Sequence, residues 1–196
     1  MAAIDLAGFA DKFRADADPW ATFSDADEAL KRRAILHALG PGPLGRVLEL
    51  GAGNGSNSVA LARRALRLDA TEGTREGTDL VAAALAERPG AEADRARASV
   101  LAVPGRLPRP RYDAVVVAEL LYYLSPRAMT QTARDVAAAL RPGGRLVLAH
   151  HRIDFYDFVQ HAAGIHARFL DATGVRWRQA GGRRTGRWIV SGWVRA

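Results

Sequence analysis

Gly45-Arg46-Val47-Leu48-Glu49-Leu50-Gly51-Ala52-Gly53-Asn54-Gly55-Ser56-Asn57-Ser58 is the stretch on which the reading of this chain turns. The apolar run Val47, Leu48 and Leu50 enters a turn with glycine at every second position, and an apolar-periodic segment through Val59, Leu61 and Ala62 leaves it. This pattern predicts a strand, a tight turn and the start of a helix. The glycines remove side chains that would hold a ligand off the backbone, and the free amides of the helix N-terminus face the same space. The turn therefore reads as a nucleotide cradle, with Gly51, Ala52, Gly53, Asn54 and Gly55 as its candidate contacts. A bare glycine-rich turn without a ligand is the alternative.

A dinucleotide fingerprint would place its third glycine at position 56, leaving the turn free for a pyrophosphate. Position 56 is serine, and the third glycine comes early, at Gly55. Glu49 adds a carboxylate two residues before the first glycine, which would repel a pyrophosphate and attract a cation. S-adenosylmethionine carries both a sulfonium and an α-ammonium group, so this turn favours a methyl donor over a nicotinamide cofactor.

A Rossmann-like unit needs a second acidic residue about 20 positions on, at the end of the next strand, to hold the ribose hydroxyls. Ala65 to Gly73 offers Asp69 and Glu72, and Glu72, followed by Gly73, lies at the strand-to-turn transition. Glu72 is the expected ligand; a shift of strand boundary would exchange the two. Glu49 through Ser58 together with Glu72 resembles the class I S-adenosylmethionine-dependent methyltransferases. Asp18-Pro19-Trp20, and Ala118 through Leu124 with Glu119, Tyr122 and Tyr123, look like the NodS family. Members of that family N-methylate the deacetylated amino sugar of a chitooligosaccharide. The resemblance implies a Rossmann-like α/β fold, a seven-stranded mostly parallel sheet of order 3-2-1-4-5-7-6 with helices on both faces.

The 196 residues suit one methyltransferase domain, with residues 1–40 as an N-terminal helical cap and 41–196 as the Rossmann-like core. No stretch of about 18 apolar residues and no basic-then-apolar leader is present, so neither a membrane span nor a signal peptide is expected. The absence of cysteine excludes disulfides and thiolate metal sites and agrees with a cytoplasmic enzyme. The net charge of +7 raises the question of nucleic acid. The basic residues are nearly all arginine, spread through every segment, with lysine only at Lys12 and Lys31. That reads as compositional bias, and no separate recognition domain is present. Only Arg176, Arg178, Arg183, Arg184 and Arg187, interleaved with Trp177 and Trp188, form a local basic-aromatic cluster.

Along the chain, Ile4, Leu6, Phe9 and Phe13 predict a short helix near the cofactor. The resemblance makes Trp20 a candidate lid over that cofactor. Ser24 to Leu39 is a helix capped by Ser24 or Asp25. Another helix starts at Gly77-Thr78-Asp79 and stops at Pro89-Gly90. The third strand is expected over Ala96 to Val103. Family members often follow it with a carboxylate for the adenine amine; here the positions are Ser99, Val100, Leu101 and Ala102. Backbone groups and apolar side chains around Leu101 and Ala102 are the expected substitute.

The apolar strand Arg111 to Ala118 delivers Glu119 to the sheet edge where open α/β folds bind ligands. Tyr122 and Tyr123 follow as candidates for the acceptor pocket. Ser125-Pro126 starts a helix running to Leu140. The strand Arg145 to Ala149 then delivers His150 and His151 to the same edge, where imidazole can act as a base near neutral pH. No ligand spacing completes a metal site. Asp154 to Thr173 is expected as one amphipathic helix, and Gly164-Ile165-His166 is similar to an element of the NodS-like group, which adds His166 as a substrate contact. Val175 to Ala180 and Gly186 to Val194 read as a hairpin joined at Gly181-Gly182. Together these features imply methyl transfer from S-adenosylmethionine to a small molecule, with Glu119, His150 and His151 as candidate bases. An amino group, such as that of an amino sugar, is the leading acceptor. The alternatives are O-methylation of a small metabolite and a protein that holds the donor without catalysis.

Overall fold

The computed structural model describes residues 3–87 and 94–196. Two helices, α1 (Leu6–Ala15) and α2 (Ala26–Ala38), precede the strand-helix alternation β1 (Leu44–Leu50), α3 (Ser56–Ala62), β2 (Ala65–Glu72), α4 (Arg75–Ala86) and β3 (Ala96–Val100). The second half runs β4 (Tyr112–Ala118), α5 (Pro126–Ala139), β5 (Leu140–His151), α6 (Ile165–Ala172), β6 (Trp177–Arg184) and β7 (Trp188–Arg195). The seven strands form one sheet of order β3-β2-β1-β4-β5-β7-β6. All neighbours are parallel except β7, which runs antiparallel to both β5 and β6. This is the Rossmann-like methyltransferase fold that the sequence implied.

Each strand buries alternate residues on opposite faces. Val47, Ala114, Val116, Val147 and Ala149 face a core with α2, α3 and α4. Leu48, Leu50, Val115, Val117 and Leu148 face a second core with α5 and α6. The same alternation decides where the polar residues of the strands go. It sends Glu49 toward α3 and separates neighbouring His150 and His151 onto opposite faces.

The helix starts carry the expected caps: Asp25 accepts from the amides of Asp27 and Glu28, and Ser125 from Ala128 ahead of Pro126. Thr74 caps α4 through the Gly77 amide, so that helix begins at Arg75, two residues earlier than expected. Its expected stop at Pro89-Gly90 lies outside the described residues. No helix among the described residues is long and apolar enough to cross a membrane.

Four further boundaries differ from the sequence reading. β3 ends at Val100, and Leu101, Ala102 and Val103 turn into the cleft instead of extending it. β5 begins at Leu140, because Leu140 pairs with Tyr112 across a register shift. The expected helix over Asp154 to Thr173 is reduced to α6. The Asp154 carboxylate is 2.6 Å from both the Ala162 amide and His161 Nδ1, closing a loop, and Gly164 at φ +71° starts the helix only afterwards. In the hairpin, Gly181 and Gly182 lie within β6, opposite Gly192 and Ser191. The turn is instead made by Thr185, whose hydroxyl accepts from the amides of Arg187 and Trp188.

Candidate active site

A cleft of about 860 Å³ lies at the C-terminal ends of the central parallel strands, between α1, α2 and the segment 152–160. The Ile4 amide donates to the Asp157 carbonyl at 3.3 Å, joining the N-terminal segment to that loop. One wall is the glycine turn. Gly53 has φ +62°, a conformation glycine adopts at little cost, and a Cβ there would project into open space. Glu72, at the end of β2, accepts from the Gly53 amide at 3.0 Å and the Thr74 amide at 3.3 Å. Burial raises its pKa against the opposing pull of these amides. Gly51, Ala52, Asn54, Gly73, Leu101 and Ala102 line the same wall.

Asn54 ties the turn to the chain ahead of α2. Its amide donates to the Asp18 carboxylate at 2.8 Å and its carbonyl accepts from the Thr22 hydroxyl at 2.9 Å. This tether brings Trp20 into the cleft against Phe9 and Phe13, with the Lys12 ammonium 5.9 Å from the indole centre.

The opposite wall is made of side chains. Glu119 follows β4 with φ +52°, a strained value for a residue with a side chain. One of its oxygens accepts from Lys31 Nζ at 2.5 Å; the other accepts from the Tyr122 hydroxyl and, at 3.2 Å, from the His151 amide. Lys31 also donates to Glu28 at 2.7 Å. Burial pulls the Lys31 pKa down, but the charges of Glu119 and Glu28 outweigh it and hold the group above its ordinary value. His151 Nε2 stands 3.8 Å from Glu28 and 3.9 Å from Glu119. Phe155, Tyr156, Phe158 and Tyr123 continue this wall toward the mouth.

Several sequence candidates stand elsewhere. Glu49 is 1% exposed and faces α3, where the Ser58 hydroxyl donates to it at 2.5 Å. Burial pushes its pKa up to about 8, so near neutral pH it is largely an uncharged acid and lies behind the turn, not against a cation. Gly55 sits behind the turn as well, where a Cβ would come 3.1 Å from the Val81 backbone of α4. His150 is fully buried on the α6 face and His166 nearly so. The amides of Leu120 and Leu121 donate to His150 Nε2 at 3.3 and 3.2 Å, His150 Nδ1 is 3.0 Å from His166 Nε2, and His166 Nδ1 is 2.7 Å from the Ser191 hydroxyl. Neither histidine lines the cleft. Tyr122 is buried with its hydroxyl engaged at Glu119, while Tyr123 is partly buried and lines the cleft. Of the three expected bases, Glu119 has its oxygens occupied by donors, His150 is enclosed, and His151 alone presents ring nitrogens free of hydrogen bonds among the described residues.

The sequence reading gave no site role to Lys31, Glu28 or Asp18, nor to the rings of Phe155 and Phe158. One signal was available: a chain with 28 basic residues keeps only two lysines, and both Lys12 and Lys31 line this cleft.

The cleft suits an adenosyl sulfonium ligand. A carboxylate at the end of β2 with capacity left for hydroxyl donors, a glycine backbone open to close approach, and an acidic lining are what such a group requires. The comparisons agree. The fold is shared with the N-methyltransferase NodS from Bradyrhizobium japonicum, solved with S-adenosylhomocysteine, at 19% identity and a TM-score of 0.79 over 97% of each chain. It is shared too with a geranyl diphosphate C-methyltransferase from Streptomyces coelicolor, at 14% identity and a TM-score of 0.69 over 86% of this chain and 81% of that one. In sequence, a demethylmenaquinone methyltransferase from Beutenbergia cavernae is 35% identical over 127 residues, 62% of this chain and 47% of its own length. An acetylserotonin O-methyltransferase from Mus musculus is 38% identical over 120 residues, 58% and 30% of the two lengths. The match thus spans about half or less of these curated relatives. Residues 48–146, which hold the glycine turn, Glu72 and Glu119, match the family described as a methyltransferase domain, and the chain belongs to that family.

Proposed function

We propose that the protein is an S-adenosylmethionine-dependent methyltransferase, a single domain with α1 and α2 as its cap, that methylates an amino group of a small molecule. The observation that carries the acceptor reading is His151 flanked by Glu28 and Glu119, with Lys31 shared between the two carboxylates. With the imidazole uncharged, two carboxylates and one ammonium leave one excess negative charge, which attracts an ammonium. The cleft as a whole points the same way. Asp5, Asp25, Glu28, Glu72, Glu119 and Asp157 line it against Lys12, Lys31 and Arg187, in a chain whose net charge is +7. An acidic cleft in a basic protein favours a cationic acceptor over an anionic one.

When bound, S-adenosylmethionine supplies an electrophilic methyl group on a positively charged sulfur and departs as the neutral thioether. Glu72 would hold the ribose hydroxyls, the backbone of Gly51 through Gly53 would pack against the methionine part, and Leu101 and Ala102 would flank the adenine. Trp20 would cover the site from solvent. An ammonium has no lone pair, so the acceptor must lose a proton before it can attack. His151 is placed to take it: the resulting imidazolium lies within 4 Å of two carboxylates, and three donors hold Glu119 in position. The likeness to the N-methyltransferase NodS supports nitrogen as the acceptor atom.

The test is transfer of labelled methyl from S-adenosylmethionine to matched amine and alcohol acceptors. The amine is expected to be methylated with a rate that rises with pH as more of the acceptor is present as free amine, and His151→Gln is expected to lower kcat about 100-fold. Methylation confined to the alcohols would overturn the amine reading.

A further inference from the structure

We propose that the accepting amine is carried on an apolar, ring-containing body, an arylalkyl or alicyclic amine, and not on a polyhydroxylated sugar. This rests on the amine reading above and concerns the rest of the same acceptor. The chain is poor in aromatic residues, 14 in 196, yet eight of them line this one cleft. Four of them form a continuous edge-to-face series that reaches His151. Phe9 meets Tyr123 at 4.9 Å and 90°, Tyr123 meets Phe158 at 5.3 Å, Phe158 meets Phe155 at 5.4 Å, and Phe155 meets the His151 ring at 5.4 Å and 79°. The series ends at the imidazole that the amine would approach.

The outer members of this wall are open. Phe155 is 47% exposed and Tyr156 66%, with Ile153 and Val159 exposed beside them in the same segment. Large apolar side chains gathered at the rim of a pocket mark a surface that a ligand covers. The innermost polar groups of the wall are already engaged, Lys31 with both carboxylates and the Tyr122 hydroxyl with Glu119, and the surface outward from them is mainly ring carbon. A sugar laid against the Phe155 and Phe158 rings would press hydroxyls onto carbon and away from water, and such a mismatch costs more than an imperfect apolar fit. An apolar ring would lose nothing, and its ammonium end would meet aromatic faces and the Glu28–Glu119 pair.

The probes are 2-phenylethylamine, glucosamine and 2-phenylethanol, titrated into the full chain saturated with S-adenosylhomocysteine and offered as acceptors with S-adenosylmethionine. The expected result is binding of 2-phenylethylamine about tenfold or more tighter than glucosamine, with the same order in kcat/KM. Phe155→Ala, a change at a half-exposed ring, is expected to raise KM for 2-phenylethylamine about tenfold and leave S-adenosylhomocysteine affinity within about twofold. Equal or better use of glucosamine overturns the proposal, as does an unchanged KM in Phe155→Ala or no binding of 2-phenylethylamine. Methylation of 2-phenylethanol in place of the amine would overturn the nitrogen reading and still support the apolar body.

Discussion

The two walls of the cleft are built by different means. The wall at β1 and β2 is mostly backbone: a glycine turn, its amides and the single carboxylate of Glu72, all within 30 residues of sequence. The wall at β4 and β5 is a set of side chains from α2, the ends of both strands and the 152–160 loop, brought together over separations such as the 88 residues between Lys31 and Glu119. A backbone wall depends on little beyond its own turn. A side-chain wall depends on its charges being mutually satisfied, so it is where one substitution disturbs several residues at once.

The difference predicts that the walls can be broken separately. Glu72→Ala is expected to weaken S-adenosylhomocysteine binding about 1000-fold, since bonds from two hydroxyls to a charged acceptor are lost, roughly 4 kcal/mol together. Calorimetry checks this, and a loss below about tenfold would remove Glu72 from the cofactor wall. Lys31→Met should act on the other wall. It leaves Glu28 and Glu119 facing each other without their shared cation, at a cost of about 3 kcal/mol in stability measured by urea unfolding. S-adenosylhomocysteine affinity should stay within about threefold. A large fall in that affinity would show the walls to be one unit.

The contrast also explains what was legible in the sequence. The glycine turn, Glu72 and the strand order follow from local pattern and family resemblance, because glycine spacing and strand periodicity are written in neighbouring residues. The acceptor wall is not local. Nothing near Lys31 in α2 announces Glu119, and the apolar spacing of Asp154 to Thr173 suggested a helix whose first half is a loop that turns Phe155 and Phe158 into the cleft. His150 and His151 read alike as bases at a strand end. The pleat sends one to the α6 core and the other to the cleft, and that choice needs the register of β5 against β4 and β7. Glu49 was misplaced for a similar reason: its position before the turn suggested the ligand, but strand alternation gives it to α3.

Glu49 offers a way to sharpen the comparison from behind the backbone wall. Its folded pKa of about 8 lies above the ordinary carboxylate value, so the folded protein binds more protons than the unfolded chain between those limits. The sign follows: stability is greatest toward the acid side of this window and falls as pH rises to about 8. Glu49→Gln keeps a polar group for Ser58 and removes the ionisation. The stability difference between variant and parent is expected to move in the variant's favour by on the order of 2 kcal/mol between pH 6 and pH 9, seen in Tm. A difference that stays the same at the two pH values would mean that water or a cation reaches this carboxylate.

The smallest expected effect comes from the support of the side-chain wall. Two backbone amides donate to His150 Nε2, so its proton is on Nδ1, facing His166 Nε2; the remaining proton of His166 then faces Ser191. Both rings are neutral in this arrangement, and protonating His150 would aim a third donor at the two amides that hold the turn after Glu119. Burial lowers the pKa of His166 to about 4 and that of His150 well below its usual value, with His166 adding to the latter. The unfolded chain therefore binds more protons between about pH 4 and 6.5, and stability falls as pH drops through that window. His166→Gln retains an acceptor for His150 and a donor for Ser191 without the ability to titrate. Its Tm should fall less steeply than the parent's below pH 6.5, a gain of about 1 kcal/mol at pH 5.5 relative to neutral pH. An acid limb unchanged by the substitution would mean that His166 is not a source of the acid sensitivity, and would separate the buried histidine pair from the response of the wall it supports.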